Sequence, residues 1–206
     1  MDAFIKVGVK DSPLIPSAEQ NNFAVGMEIT LDLPAVADQH TFNLKRWTKV
    51  CANPVLAALD NRIETDRYGN AVIIPLPGLD HGVQQAAVSF HLHRLLKGGK
   101  VVTECPVSTS EGIKGVDVAW ISSGRIPKAR RKNVLVQAPE ICVEVISPGN
   151  TRGEIEEKKR LYFAACAEEV WLCDVKGHLA FFGKAEPTKA SGRFRLCPTF
   201  PAVLSN

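Results

Sequence analysis

The sequence predicts an α/β protein with a mixed central sheet flanked by helices, and three observations carry that reading. The runs 116–121 and 141–146 are almost continuously apolar, which suits strands covered on both faces. The stretch 83–97 repeats apolar residues at helical spacing and closes on Gly98-Gly99. Thr151-Arg152-Gly153-Glu154 has the form of a capping box and opens a helix between the later strands. The order strand, strand, helix, strand, strand then gives a mixed sheet with helices packed on it.

Taken in order, residues 1–40 contain Pro13, Pro16 and Pro34 and no sustained helical period, so they are expected to form an N-terminal extension. Within it, Phe23-Ala24-Val25 and Met27-Glu28-Ile29 are candidates for a short strand pair. The folded domain is expected over 41–206. Thr41 is a suitable cap for a helix from Phe42, burying Leu44, Trp47 and Val50 or Cys51 and ending before Pro54. Residues 62–77 read as a hairpin around Tyr68-Gly69-Asn70, because Ala71-Val72-Ile73-Ile74 is rich in β-formers. In the helix at 83–97, the recurring residues are Val83, Ala86, Ala87, Phe90 and Leu95. His91 and His93 lie two apart, point to different sides, and read as surface or packing residues. Strands are expected at 101–103, 116–121, 141–146, 170–173 and 179–182, and the helix after Thr151 should reach about Ala167.

Composition narrows the class. With 206 residues, 45% hydrophobic and 23% charged, the chain suits one globular core. A net charge of +3 is too small to imply a polyanionic partner, although Lys128, Arg130, Arg131 and Lys132 form a local cluster suited either to phosphate or to a solvated loop. Six cysteines, at 51, 105, 142, 166, 173 and 197, show no C-x-x-C pair. They read as reduced core residues of a cytoplasmic protein. No apolar run has the length of a membrane span, and the start of the chain lacks the pattern of a signal peptide.

Asp117 and Glu144 each interrupt a strand built for burial. A buried carboxylate needs a cation, a metal, several hydrogen bonds or a proton. The two could converge on a hard divalent ion, or each could be paired with an Arg or Lys at a sheet end. Lys158 and Tyr162 share one face of the helix that follows Glu144, so a lysine could reach the same pocket to hold a phosphate or stabilise developing charge. Lys159 competes with Lys158 for that role, and either could simply be solvated.

Several segments together resemble a known family: Arg62-Ile63-Glu64, Gly69, the run from Gly115 through Asp117 to Ser122, the run from Pro139 through Glu144 to Asn150, Glu157-Lys158, Tyr162, and 170–174. They resemble the "putative restriction endonuclease" family of the PD-(D/E)XK nuclease superfamily over about 42–182. The resemblance implies a restriction-endonuclease-like core in which Asp117 and Glu144 hold Mg2+ or Mn2+, Glu64 lies near the same pocket, and Lys158 completes a catalytic set of Asp117, Glu144 and Lys158. Val116 departs from a frequent proline, and Ile146 stands where the superfamily places its lysine, so the lysine role moves to the helix. The expected activity is metal-dependent endonucleolytic hydrolysis of DNA phosphodiester bonds by a homodimer. The rival expectations are an inactive nuclease fold serving as a nucleic-acid-binding or regulatory module, and a homo-oligomeric structural protein.

Overall fold

The computed structural model describes residues 37–59, 61–192 and 194–204. The expected strand pair at 23–29 lies outside the described residues, as does most of the expected extension.

Helix α1 (Gln39–Cys51) begins three residues earlier than expected, because Asp38 rather than Thr41 caps it by accepting from the Thr41 N–H. After the short α2 (Pro54–Ala57), strands β1 (Arg62–Thr65) and β2 (Ala71–Ile74) pair antiparallel as a separate two-stranded ribbon. Its turn is held by Asp66, whose carboxylate accepts from the Tyr68 and Asn70 N–H groups, and Gly69 supplies the positive φ of 77°.

Helix α3 (Leu79–Leu95) follows and turns into β3 (Gly99–Thr109) and β4 (Gly112–Ser122), a long antiparallel hairpin. The short α4 (Ile126–Ala129), β5 (Arg130–Arg131) and β6 (Val134–Leu135) extend the sheet edge. Next come β7 (Ile141–Ile146), α5 (Arg152–Ala164), β8 (Glu169–Asp174), β9 (Leu179–Gly183) and β10 (Glu186–Ser191). The capping box at Thr151 and Glu154 forms as expected. The main sheet has the order β10-β9-β8-β7-β4-β3-β6-β5. It is mixed: β7 and β8 run parallel across the α5 crossover, whereas β4 pairs antiparallel with both β3 and β7.

Both faces of the central strands β4, β7 and β8 are buried, as the continuous apolar runs require. One face packs Cys105, Val116, Ala119 and Cys142 against Tyr162 and Phe163 of α5. The other packs Val118, Val143 and Trp171 against Val88 and Leu92 of α3 and against Phe194 and Phe200 near the C-terminus. The α3 face differs from the one its apolar spacing suggests. His81, Gln84, Val88 and Leu92 are buried, while Val83 and Phe90 are exposed. Polar contacts of His81 and Gln85 with β4 set this rotation. Cys51 and Cys166 are also exposed, so only four of the six cysteines are core residues.

Pleat alternation slips within β4. Val116 and Val118, two apart on β4, lie on opposite faces, and the slip between them falls at Asp117. The residue opposite Asp117 on β3 is Glu104, between the Thr103↔Val118 and Cys105↔Val116 pairs, and its φ is 50°. A long side chain rarely adopts that region, so the strand is locally strained there.

Candidate active site

Burial of β4 and β7 leaves their carboxylates nowhere to go but into the groove that opens where the two strands part. The antiparallel register through Val118↔Val143 brings Asp117 and Glu144 abreast at the next step. There the ladder ends, and Asp117 Oδ2 accepts from the Val145 N–H at 2.8 Å. Asp117 and Glu144 are 2% and 7% exposed. Helix α5 returns over this end of β7, so Lys158 Nζ lies 2.7 Å from Glu144 Oε2 and the Tyr162 hydroxyl donates to Glu144 Oε1 at 2.7 Å. Of the two lysines, Lys158 faces the groove. Lys159 is buried on another side, with its ammonium 3.7 Å from the Phe182 ring centroid and 3.0 Å from Glu156.

Glu64 enters from the β1–β2 ribbon. Its Oε1 accepts from the Gly115 N–H at 3.0 Å and lies 3.8 Å from Lys158 Nζ, and its Oε2 lies 3.8 Å from Lys114 Nζ. Thus Asp117, Glu144 and Lys158 share one groove, and Glu64 approaches Lys158 from an adjoining cavity that Glu144 and Lys158 also line. The groove encloses about 790 Å³, bounded by Asn61, Ile74 and Leu76 on one side and Ser147 and Asn150 on the other. The Lys128–Lys132 cluster is elsewhere, and its arginines donate to nearby backbone carbonyls.

Three contributors, Arg62, His81 and Glu104, are absent from the sequence reading of the site. Arg62 Nη1 lies 2.6 Å from Asp117 Oδ1 and 3.0 Å from Glu104 Oε2, and Nη2 lies 3.2 Å from Glu64 Oε1. His81 of α3 places Nε2 3.2 Å from Asp117 Oδ2. Since the carboxylate only accepts, that nitrogen carries the hydrogen. Glu104 accepts from Gln85 Nε2 at 2.9 Å. The one sequence signal for Arg62 is its place two residues before Glu64. Nothing in the sequence marks His81 or Glu104.

The electrostatics of the two carboxyls diverge. Burial works against ionised Asp117, but the His81 hydrogen bond, the Arg62 and Lys158 charges and the Val145 N–H together hold its pKa at about 2. Glu144 is dominated by burial, which lifts it to about 7 against the pull of Lys158. Lys158 itself is raised: burial opposes its charge, but Glu144 and Glu64 outweigh that. Burial also pushes the Tyr162 hydroxyl well up, helped by Glu144, so it stays a donor.

The donor set suits a hard divalent cation, since Asp117 and Glu144 offer carboxylate oxygens at a groove with room for water and a phosphate. The fit is of the open kind. Among the described residues no three His, Cys, Asp or Glu side chains form a closed ligand cage. The oxygens that would take the ion are those now engaged by Arg62 and Lys158.

Residues 54–189 match the model of the Uma2 family, described as "Putative restriction endonuclease". Among solved structures, the crystal structure of a "putative nuclease" from Anabaena variabilis matches with a TM-score of 0.53 and 16% identity, covering 64% of this chain and 75% of that one. At that identity the likeness is one of fold. No curated protein matches. No described helix is long and apolar enough to cross a membrane.

Proposed function

This chain belongs to the Uma2 family, and from that premise we propose that it is a metal-dependent endonuclease hydrolysing DNA phosphodiester bonds. The observation that carries the proposal is the juxtaposition of Asp117 and Glu144 at the parting of β4 and β7, with Lys158 2.7 Å from Glu144 inside a groove.

In this reading Asp117 and Glu144 hold Mg2+ or Mn2+, with Glu64 close by. A bound ion would lower the pKa of an attacking water and offset charge on the phosphate and leaving oxygen. The protein does the positioning. The Val145 N–H and His81 fix the Asp117 rotamer, and Tyr162 fixes Glu144. Lys158 presents an ammonium to the groove, where it holds a non-bridging phosphate oxygen and stabilises the charge that grows there as the water oxygen bonds to phosphorus, its proton passing to solvent in the groove, and the opposite P–O bond breaks, the leaving oxygen taking a proton from solvent. DNA as substrate, a homodimeric state and a cytoplasmic location belong to the same proposal.

One observation favours a second reading, a nucleic-acid-binding or regulatory module without cleavage. Asp117 and Glu144 each already face a cation of the chain itself, Arg62 at 2.6 Å and Lys158 at 2.7 Å, and such pairing can keep two buried carboxylates in a fold that does no chemistry. Assays of supercoiled and single-stranded DNA with and without Mg2+ or Mn2+, on wild type, Asp117→Asn and Glu144→Gln, separate the two. Metal-dependent cutting that both substitutions abolish supports the nuclease. DNA binding without cutting under every condition supports the module. Sedimentation at micromolar concentration tests the dimer, and a species of 22.4 kDa alone refutes it.

A further inference from the structure

Arg62 is surrounded by more negative charge than it can neutralise. Three carboxylates converge on its guanidinium: Asp117 at 2.6 Å, Glu104 at 3.0 Å and Glu64 at 3.2 Å. Yet its Nε–H is buried with no hydrogen-bond partner. A buried donor left without an acceptor is costly, so this guanidinium is held by charge rather than by a fully satisfied geometry. Its two outer acceptors differ in kind. Asp117 is buried at the base of the groove, whereas the Glu104 side chain is 43% exposed at the rim.

Glu104 is not at the rim by chance of rotamer. Its backbone is held at φ 50° within a strand, opposite Asp117, and its Oε1 is clamped by Gln85 from α3, which also donates to the Asp117 carbonyl at 2.9 Å. A strained, clamped carboxylate directly opposite a buried one gives the arginine a second place to rest, one step toward solvent.

Building on the metal-site reading above, we infer that Arg62 is a resident counter-cation occupying the cation position at Asp117, and that Glu104 is the acceptor to which it shifts when a divalent ion takes that position. Arg62 and the ion compete for the same carboxylate oxygen, so the chain's own guanidinium sets the apparent metal affinity. An arginine transferred to Glu104 stays in the groove, where it faces any anion that lies along it.

The test is Mn2+ binding by the intact protein in the absence of nucleic acid, counted by the EPR signal of free Mn2+ and by the rise in Tm with added ion. Arg62→Gln removes the competitor and is expected to bind Mn2+ about tenfold more tightly than wild type, the shift expected when one close charge pair no longer has to be broken. Glu104→Gln removes the second resting place without touching Asp117. It leaves the arginine on Asp117 and is expected to weaken binding about threefold, as befits a partly exposed pair. Equal or weaker binding in Arg62→Gln overturns the proposal while the metal site stands, and unchanged affinity in Glu104→Gln removes Glu104 from it. If neither wild type nor Arg62→Gln binds Mn2+, the metal-site reading and the proposal fall together. Should Arg62→Gln not fold, Glu104→Gln alone decides.

Discussion

The guanidinium of Arg62 and the carboxylate of Asp117 form a 2.6 Å ion pair that ties the β1–β2 ribbon to the centre of the main sheet. Asp117 is almost wholly enclosed, so removing one charge strands the other in a poorly solvated place. Asp117→Asn is expected to lower the unfolding free energy by about 3 kcal/mol. The double variant with Arg62→Met should lose less than the sum of the two singles, because its second substitution removes a charge that already lacks its partner. Urea unfolding with unchanged m-values checks this, and strict additivity would contradict the coupling.

Stability should also depend on pH through Glu144. Its folded pKa of about 7 lies above the ordinary 4.5, so between those values the folded protein holds a proton that the unfolded chain has released. Stability contributed by this group is therefore greatest below pH 4.5 and declines as pH rises toward 7. Asp117 acts oppositely. Its folded pKa of about 2 lies below the ordinary 3.8, so its contribution is present above that value and is lost on acidification toward pH 2. Glu144→Gln is expected to flatten the decline between pH 4.5 and 7 and leave the acid limb in place. Equal slopes in wild type and Glu144→Gln across that interval would refute the assignment.

The strands and the capping box were legible because their signals are local: apolar runs covered on both faces, and a Thr three residues before a Glu. Asp117 and Glu144 were legible for the same reason, as carboxylates in segments otherwise chosen for burial. What could not be read is what depends on register and helix rotation. His81 reaches Asp117 only because α3 turns its polar side inward, against the pattern of Val83 and Phe90. Glu104 meets Arg62 only through the β3–β4 pairing and a positive φ that no residue type announces. Between Lys158 and Lys159 only the family resemblance chose Lys158, because residue spacing leaves the phase of α5 open by one residue.

The cysteines should sort by exposure rather than by pairing. Cys51 and Cys166 are exposed, and Cys105, Cys142, Cys173 and Cys197 are buried; none is bonded to another. Burial pushes the Cys105 and Cys173 thiols up to about 12, where the thiolate is scarce at neutral pH. A thiol reagent at pH 8 is expected to titrate two groups quickly in the native protein and all six in denaturant. Four or fewer in denaturant after a reducing preparation would mean that disulfides form.

Lys158 and Lys159 make the sharpest contrast, since adjacent residues of one type are assigned different work. The Lys158 ammonium lies in the groove between Glu144 and Glu64, at 2.7 and 3.8 Å, where an incoming phosphate would meet it. The Lys159 ammonium sits on the Phe182 ring and pairs with Glu156, away from the groove. Lys158→Ala is therefore expected to reduce kcat by about a hundredfold or more, as loss of a preorganised charge stabiliser does, while metal binding persists because Asp117 and Glu144 remain. Lys159→Ala should keep kcat within about twofold and instead lose about 1 kcal/mol of stability, from the cation–π contact and the buried stem. The measurements are single-turnover cleavage of plasmid DNA at saturating Mg2+ and urea unfolding of the same two variants. Loss of turnover in Lys159→Ala with Lys158→Ala unaffected would reverse the assignment, and equal losses in both would mean that the effect is one of helix α5 rather than of either ammonium.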